Sequence, residues 1–256
     1  MFRSLCIAVA MYSKLPAPRV EWDKKSLSWA MCFFPVVGVV IALLLGIWLG
    51  LCEMLDFGPF LRAAVSLLLP IAVSGAIHLD GFCDTSDALG SHQSREKKLE
   101  ILKDSHTGAF AIICCCLYLI FFFAVWCEAE PEGETLWVLA LGPVLSRSLS
   151  GLAAVSWPNA RGSGLLATFI QPMDARKARA VLLVWTAACA AALLALDPVT
   201  GTAAVAGAGL SFLYYFVMSR RQFGGITGDL AGFFLQVCEC AMVLAVVLAQ
   251  RLEEWL

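Results

Sequence analysis

Residues 30–52 read AMCFFPVVGVVIALLLGIWLGLC, an apolar run without one charged side chain. It is slightly longer than the ~20 residues a helix needs to cross the hydrocarbon core of a bilayer. Six further runs of comparable length follow, at 63–79, 109–127, 136–155, 178–196, 202–218 and 231–249. Together they predict an all-α, polytopic membrane bundle of about seven transmembrane helices, with 1–256 as one integral domain. The second and sixth runs are the shortest, and Pro70 inside the second predicts a kink, or a break where backbone lines a cavity. Composition agrees: the chain is 60% hydrophobic and 15% charged, against about half and a quarter in soluble domains. A net charge of -2 offers nucleic acid nothing to bind. Most of the eleven cysteines fall in or beside apolar runs, which reads as helix packing by free thiols in a reducing compartment. Residues 5–11 form an apolar run too short to span and without a clean cleavage site. They read as an interfacial or re-entrant segment ending at Pro16 rather than a signal peptide.

Loop charges alternate. Arg3, Lys14, Arg19, Lys24 and Lys25 precede the first run. Arg95, Lys97, Lys98 and Lys103 follow the second, Arg161, Arg176 and Lys177 the fourth, and Arg220 and Arg221 the sixth. The intervening loops carry only Arg62 and Arg251, together with Glu128, Glu130, Glu132 and Glu134. Lys and Arg mark cytoplasmic loops, so the N-terminus is expected in the cytoplasm and the C-terminus outside.

One segment departs from membrane grammar: His78-Leu79-Asp80-Gly81-Phe82-Cys83-Asp84-Thr85-Ser86-Asp87. Carboxylates at i, i+4 and i+7 share one face of a helix. Three like charges there repel one another and are costly beside a bilayer. A divalent cation removes both costs, and hard oxygen ligands favour Mg²⁺. Asp80, Asp84 and Asp87 are therefore the expected metal ligands, with coordination positions left for phosphate oxygens. His78 is either a general base near neutral pH or a donor that steadies an aspartate.

Other polar residues fall on the same predicted side. Lys103, Asp104 and Ser105 precede the third run. Lys103 suits a phosphate or a lipid headgroup, Asp104 a metal or a hydroxyl, and Ser105 adds a hydroxyl where a helix N-terminus favours anions. Arg147, inside the fourth run, needs a partner, either Glu239 in the seventh run or a substrate phosphate. The turn holding Asn159, Arg161 and 162–165 places Arg161 to grip phosphate with two donors. Gly224, Gly225, Thr227 and Gly228 let backbone approach a ligand ahead of Asp229, which opens the seventh run.

Residues 78–89 resemble the H-L-D-G-x-x-D-T-x-D-x-L signature of the cobalamin synthase family, the adenosylcobinamide-GDP ribazoletransferases. Lys103 to Phe110 is similar to its K-D-S block, Pro158 to Arg161 with Gly164-Leu165 to its P-Y-A-R…G-L block, and Gly224 to Asp229 to its G-G-x-T-G-D block. Leu15-Pro16, Pro18-Arg19, Trp29 and Phe34-Pro35 resemble its N-terminal region, so the likeness covers essentially the whole chain. Asn159 stands where that family usually has Tyr, and His106 where Arg is common. The resemblance implies Mg²⁺-dependent transfer of phosphocobinamide from adenosylcobinamide-GDP to α-ribazole or α-ribazole 5′-phosphate. GMP leaves, and adenosylcobalamin or its 5′-phosphate is formed. It implies a bacterial inner-membrane enzyme with its site on the cytoplasmic side. Asp80, Asp84 and Asp87 would hold the metal. Lys103, Ser105, Arg147, Asn159, Arg161, Gly224, Gly225, Thr227 and Gly228 would bind substrate, and His78, Asp104 or Asp229 would handle the proton. Expected partners are these small molecules and the bilayer, not nucleic acid, with a homo-oligomer or other cobalamin-pathway enzymes as protein partners. The acidic spacing alone also suits another Mg²⁺-dependent intramembrane transferase, of the CDP-alcohol phosphotransferase or UbiA prenyltransferase type. A transporter using Asp80, Arg147 and Glu239 as an ion path is the reading of a different class.

Overall fold

The computed structural model describes residues 1–161, 168 and 174–255. The remainder of the predicted 162–165 turn lies outside the described residues. The elements in chain order are α1 (Phe2–Tyr12), α2 (Lys24–Ala30), a 3₁₀ turn (Met31–Phe33), α3 (Phe34–Met54), α4 (Pro59–Ser74), α5 (Ile77–Gly90), α6 (Arg95–Ile101), α7 (Ala109–Glu128) and α8 (Thr135–Ser156). Then follow α9 (Ala175–Leu196), α10 (Pro198–Met218), a π-helical turn (Ser219–Phe223) and α11 (Gly228–Trp255). The β contact among the described residues is a single bridge between Asn159 and Ile226.

Local sequence sets the helix boundaries. Proline opens α3, α4 and α10, where its missing N–H is no loss and its φ is already helical. Asp23, Ser94, Asp174 and Asp197 cap α2, α6, α9 and α10 through side-chain oxygens. Asp197 also accepts the Thr135 hydroxyl at 3.1 Å, tying the start of α8 to the α9–α10 turn. Helix α8 is the axis, with 89% of its apolar window buried, whereas α9 and α7 bury 17% and 28% of theirs. Leu43, Ile47, Ile120, Leu210 and Leu213 point outward, as side chains facing lipid tails do. All eleven cysteines are free thiols.

Among the described residues six helices are long and apolar enough to cross a membrane, and a bent pair raises the number to seven. The bent pair is the second predicted span. It does not run straight through 63–79: α4 ends at Ser74, and α5 leaves at 94°. Helix α4 continues through Pro70, and the break falls at Gly75 and Ala76, both left-handed at φ 63° and 62°. The Gly75 and Ala76 amides close α4 on the Ala72 and Ile71 carbonyls at 3.1 and 2.9 Å, satisfying groups that a bare helix end would orphan. Ala76 is strained there because a Cβ is disfavoured in that region. The N-terminal segment locks the break. The Lys14 amide donates to the Val73 carbonyl at 2.8 Å, and the Lys14 side chain lies over Gly75. Helix α1 is too short to span and packs into the fold through Ser4, Cys6, Ile7 and Ala8.

Candidate functional site

The bend in α4–α5 brings the acidic helix against the start of α11. Gly81 lies on the Asp229 backbone and Gly232 on the His78 backbone, with no room for a Cβ at either. Phe82 extends this crossing by stacking on Phe233, ring centroids 5.3 Å apart and planes 8° apart. The glycine in His-Leu-Asp-Gly is thus a packing residue that lets two acidic helix segments approach.

Two loops join at the same place. The Ala160 amide donates to the Ile226 carbonyl and the Ile226 amide to the Pro158 carbonyl, both at 2.9 Å. Gly225 is pressed against the Pro158 carbonyl, and Gly224 adopts φ 79° beneath the Arg95 guanidinium. Gly225 therefore serves a close backbone contact and Gly224 a left-handed turn. Trp157 anchors the first loop on Phe212, Tyr215 and Phe216, with centroids 4.9 to 5.1 Å away. Asn159 Oδ1 accepts the Arg161 amide at 2.9 Å, turning the chain so that Arg161 reaches Asp229, Nη1 to Oδ2, at 3.2 Å. The Thr227 hydroxyl donates to Asp229 at 3.4 Å and accepts the Leu230 amide at 3.2 Å, which caps α11.

These elements surround a cleft of about 180 Å³ lined by His78, Asp80, Asn159, Arg161, Thr227, Gly228 and Asp229, with Tyr12, Met31, Phe34, Ile77 and Ser150 among its other walls. Seven sequence-predicted residues thus meet. Asp84 sits beside them, within electrostatic reach of Asp80, Asp229 and Asp87 as like charges and of Arg161 as the opposite one. Asp87 turns away, and its carboxylate fills the space a side chain at Gly108 would occupy, at the start of α7. Among the described residues no three His, Cys, Asp or Glu groups form a ready-made metal cage. The donor set still suits a hard cation. Asp80, Asp84 and Asp229 lie around one arginine, and Mg²⁺ is ordinarily held by one or two carboxylates completed by water and substrate phosphate.

Arg161 has spare capacity. Its Nη1 holds Asp229, while Nε and Nη2 are buried without a hydrogen-bond partner among the described residues. The His78 Nε2 is in the same condition. Buried donors and acceptors are rarely left unsatisfied, so both have capacity for a partner beyond the described residues.

Eight predicted residues do not line the cleft: Asp84 and Asp87 flank it, Gly224 and Gly225 shape a loop beside it, and four lie elsewhere. Arg147 pairs with Glu239 at 2.7 Å, both deeply buried, and donates to the Pro143 carbonyl at 3.1 Å. This is the interhelical pair allowed for at the outset, on the far side of Phe34, whose ring lies 5.9 Å from the guanidinium. Lys103, Asp104 and Ser105 are exposed in the α6–α7 connection. Asp104 accepts the His106 amide at 3.0 Å and its Nδ1 at 2.7 Å, and the amide bond foremost holds its carboxyl below the usual range, making it a weak base. Conversely, sequence reasoning gave no role to Tyr12, Met31 and Ser150. Tyr12 closes an apolar helix too short to span, which was the available signal.

Comparison with known proteins places the whole chain in one family. The family model for cobalamin-5-phosphate synthase matches residues 4–247. An adenosylcobinamide-GDP ribazoletransferase of Lachnoclostridium phytofermentans is 40% identical over 96% of this chain and 94% of its own. Enzymes of the same name from Clostridium perfringens and Pseudomonas syringae pv. syringae are 30% and 32% identical, over 95% and 88% of this chain and 96% and 90% of their own. No solved structure matches the chain. A multi-pass helical protein with this site and these relatives is an enzyme, and it belongs to the cobalamin-5-phosphate synthase family.

Proposed function

We propose that this chain transfers phosphocobinamide from adenosylcobinamide-GDP to α-ribazole or α-ribazole 5′-phosphate, with release of GMP, in a Mg²⁺-dependent reaction. The observation that carries the reading is Arg161: anchored to Asp229 by one nitrogen, it keeps two donors for an oxyanion at the edge of an acidic cluster. A guanidinium so fixed suits the parallel oxygens of a phosphoryl group. Bound Mg²⁺ would neutralise diphosphate charge and stabilise the departing phosphate. Asp80 and Asp84 are its proposed ligands from the cleft, with Asp87 supporting from the side facing α7.

The chain's own residues supply the rest. Arg161 orients the diphosphate, and the Asp229 pair fixes Arg161. His78, beside Asp80 on the first turn of α5, takes the proton from the attacking hydroxyl through Nε2. Asp229 already pairs with Arg161 and accepts the Thr227 hydroxyl and acts as a positioning group. The basic loops gather at the site end of the bundle, which supports a cytoplasmic N-terminus and active site in a bacterial inner membrane.

The test is GMP release from adenosylcobinamide-GDP by purified enzyme with each acceptor form in turn. Release dependent on acceptor supports the reading. A chain that releases no GMP with either acceptor, or moves solute across sealed vesicles instead, refutes it.

A further inference from the structure

The cleft has two unlike halves. One is ionic: Asp80, Arg161 and Asp229 with Asn159 and Thr227. The other is apolar and aromatic: Tyr12, Met31, Phe34 and Ile77. Tyr12 and Phe34 stand with ring centroids 4.3 Å apart, and the Tyr12 hydroxyl is directed at the Met31 sulfur at 3.9 Å. Phe34 and Met31 are buried beneath, while Ile77 is exposed and Tyr12 partly so. His78 marks the seam. Its ring lies 5.8 Å from that of Phe34, and its residue neighbours Asp80 on the ionic side.

An exposed isoleucine and a tyrosine over a buried aromatic floor form a surface for a flat ring. The transferase reading puts two bases next to the reacting diphosphate, the guanine of the donor and the base of the ribazole acceptor, while the donor's corrin ring stands off beyond its aminopropanol arm. Guanine carries amide and amino groups that need partners when buried, and Met31, Phe34 and Ile77 provide none. A benzimidazole-type base has no amide or amino edge and only one ring nitrogen to satisfy, so it loses less on such a wall.

We propose that the wall formed by Tyr12, Met31, Phe34 and Ile77 is the seat of the acceptor's benzimidazole-type base, selecting the acceptor by apolar stacking and setting its ribose toward His78. The proposal rests on the transferase reading and deepens it. With the base on this wall, the sugar falls at the seam, where the unpartnered His78 Nε2 meets the ionic half. The N-terminal helix, which carries Tyr12, thereby becomes a specificity element rather than a membrane rest.

The test uses the full-length protein in detergent micelles, with equilibrium binding of α-ribazole alone and steady-state GMP release. Tyr12→Leu is expected to raise both the α-ribazole Kd and its KM about tenfold, the scale of one lost base–aromatic contact, while the adenosylcobinamide-GDP KM stays put. Tyr12→Phe, which keeps the ring, is expected to retain the wild-type α-ribazole Kd. A rise in the donor KM with an unmoved α-ribazole Kd would place guanine on the wall and overturn the proposal. Unmoved constants for both ligands in Tyr12→Leu would also overturn it. The binding arm stands apart from turnover: α-ribazole binding that weakens in Tyr12→Leu supports the subsite even if wild type released no GMP, an outcome that sinks the transferase reading alone.

Discussion

The two ends of the bundle handle charge in opposite ways. Where α7 ends and α11 runs out, the acidic 128–134 loop is held from within. Arg62 donates to the Ala129 carbonyl at 2.9 Å, and Gln250 exchanges hydrogen bonds with the Glu130 backbone. Arg251 reaches Glu130 at 2.9 Å and Glu128 at 3.5 Å. At the start of α11, by contrast, Asp80, Asp84 and Asp229 lie around Arg161, whose Nε and Nη2 have no hydrogen-bond partner among the described residues. Charge at a membrane boundary is costly unless compensated. One end compensates it with protein, as a purely structural cap should. The other, on the proposed reading, is completed by Mg²⁺ and phosphate.

The largest expected effects test the open end. Arg161→Ala and Asp84→Asn should each cut GMP release by at least about 100-fold, the scale of one lost electrostatic contact to the reacting group, with the melting temperature near that of wild type. Loss of folding in both would make these charges structural and erase the contrast. Next comes the buried pair that belongs to neither end. Arg147→Met should destabilise by about 3–5 kcal/mol by stranding Glu239, and Arg147→Met with Glu239→Leu should recover much of that, because the apolar pair leaves no buried charge. Chemical or thermal unfolding in detergent measures both. A double variant no better than the single would point to a role for Arg147 beyond pairing.

A smaller effect sharpens the role of the bend that forms the open end. Gly75→Ala should cost about 1–2 kcal/mol, since a Cβ there is both left-handed and against Lys14. Ala76→Gly should be neutral or stabilise by up to about 1 kcal/mol. Equal effects of the two substitutions would show that the break is not set by these dihedrals. Smallest of all, Arg251→Ala at the closed end should leave GMP release within about twofold of wild type, as expected of an exposed ion pair remote from the chemistry. A large fall would couple the two ends.

Apolar run length made the helices readable, because each segment carries its own evidence of burial in lipid. Clustering of polar residues between runs marked His78, Asp80, Arg161 and Asp229, and alternating loop charges put them at one end. Three things were not legible. The break at Gly75–Ala76 depends on Lys14 reaching across from the N-terminal segment, a contact sixty residues distant, whereas Pro70 advertised a kink that α4 absorbs. Helical spacing put the three aspartates on one face, yet the path of α7 draws Asp87 over Gly108 while Asp80 lines the cleft. The aromatic wall needed α1 folded against α3, and nothing in an eleven-residue apolar helix names the neighbour it packs on. Arg147 shows the reverse case: its depth demanded a partner, and Glu239 was the carboxylate at matching depth.

The most direct test of the central claim is the magnesium dependence of GMP release by wild type and Asp84→Asn after chelation. Stripped wild-type enzyme is expected to be inactive and to recover fully with Mg²⁺, while Asp84→Asn needs at least about tenfold more Mg²⁺ or stays inactive. Full GMP release without a divalent cation, or an Asp84→Asn titration superimposable on wild type, would contradict it.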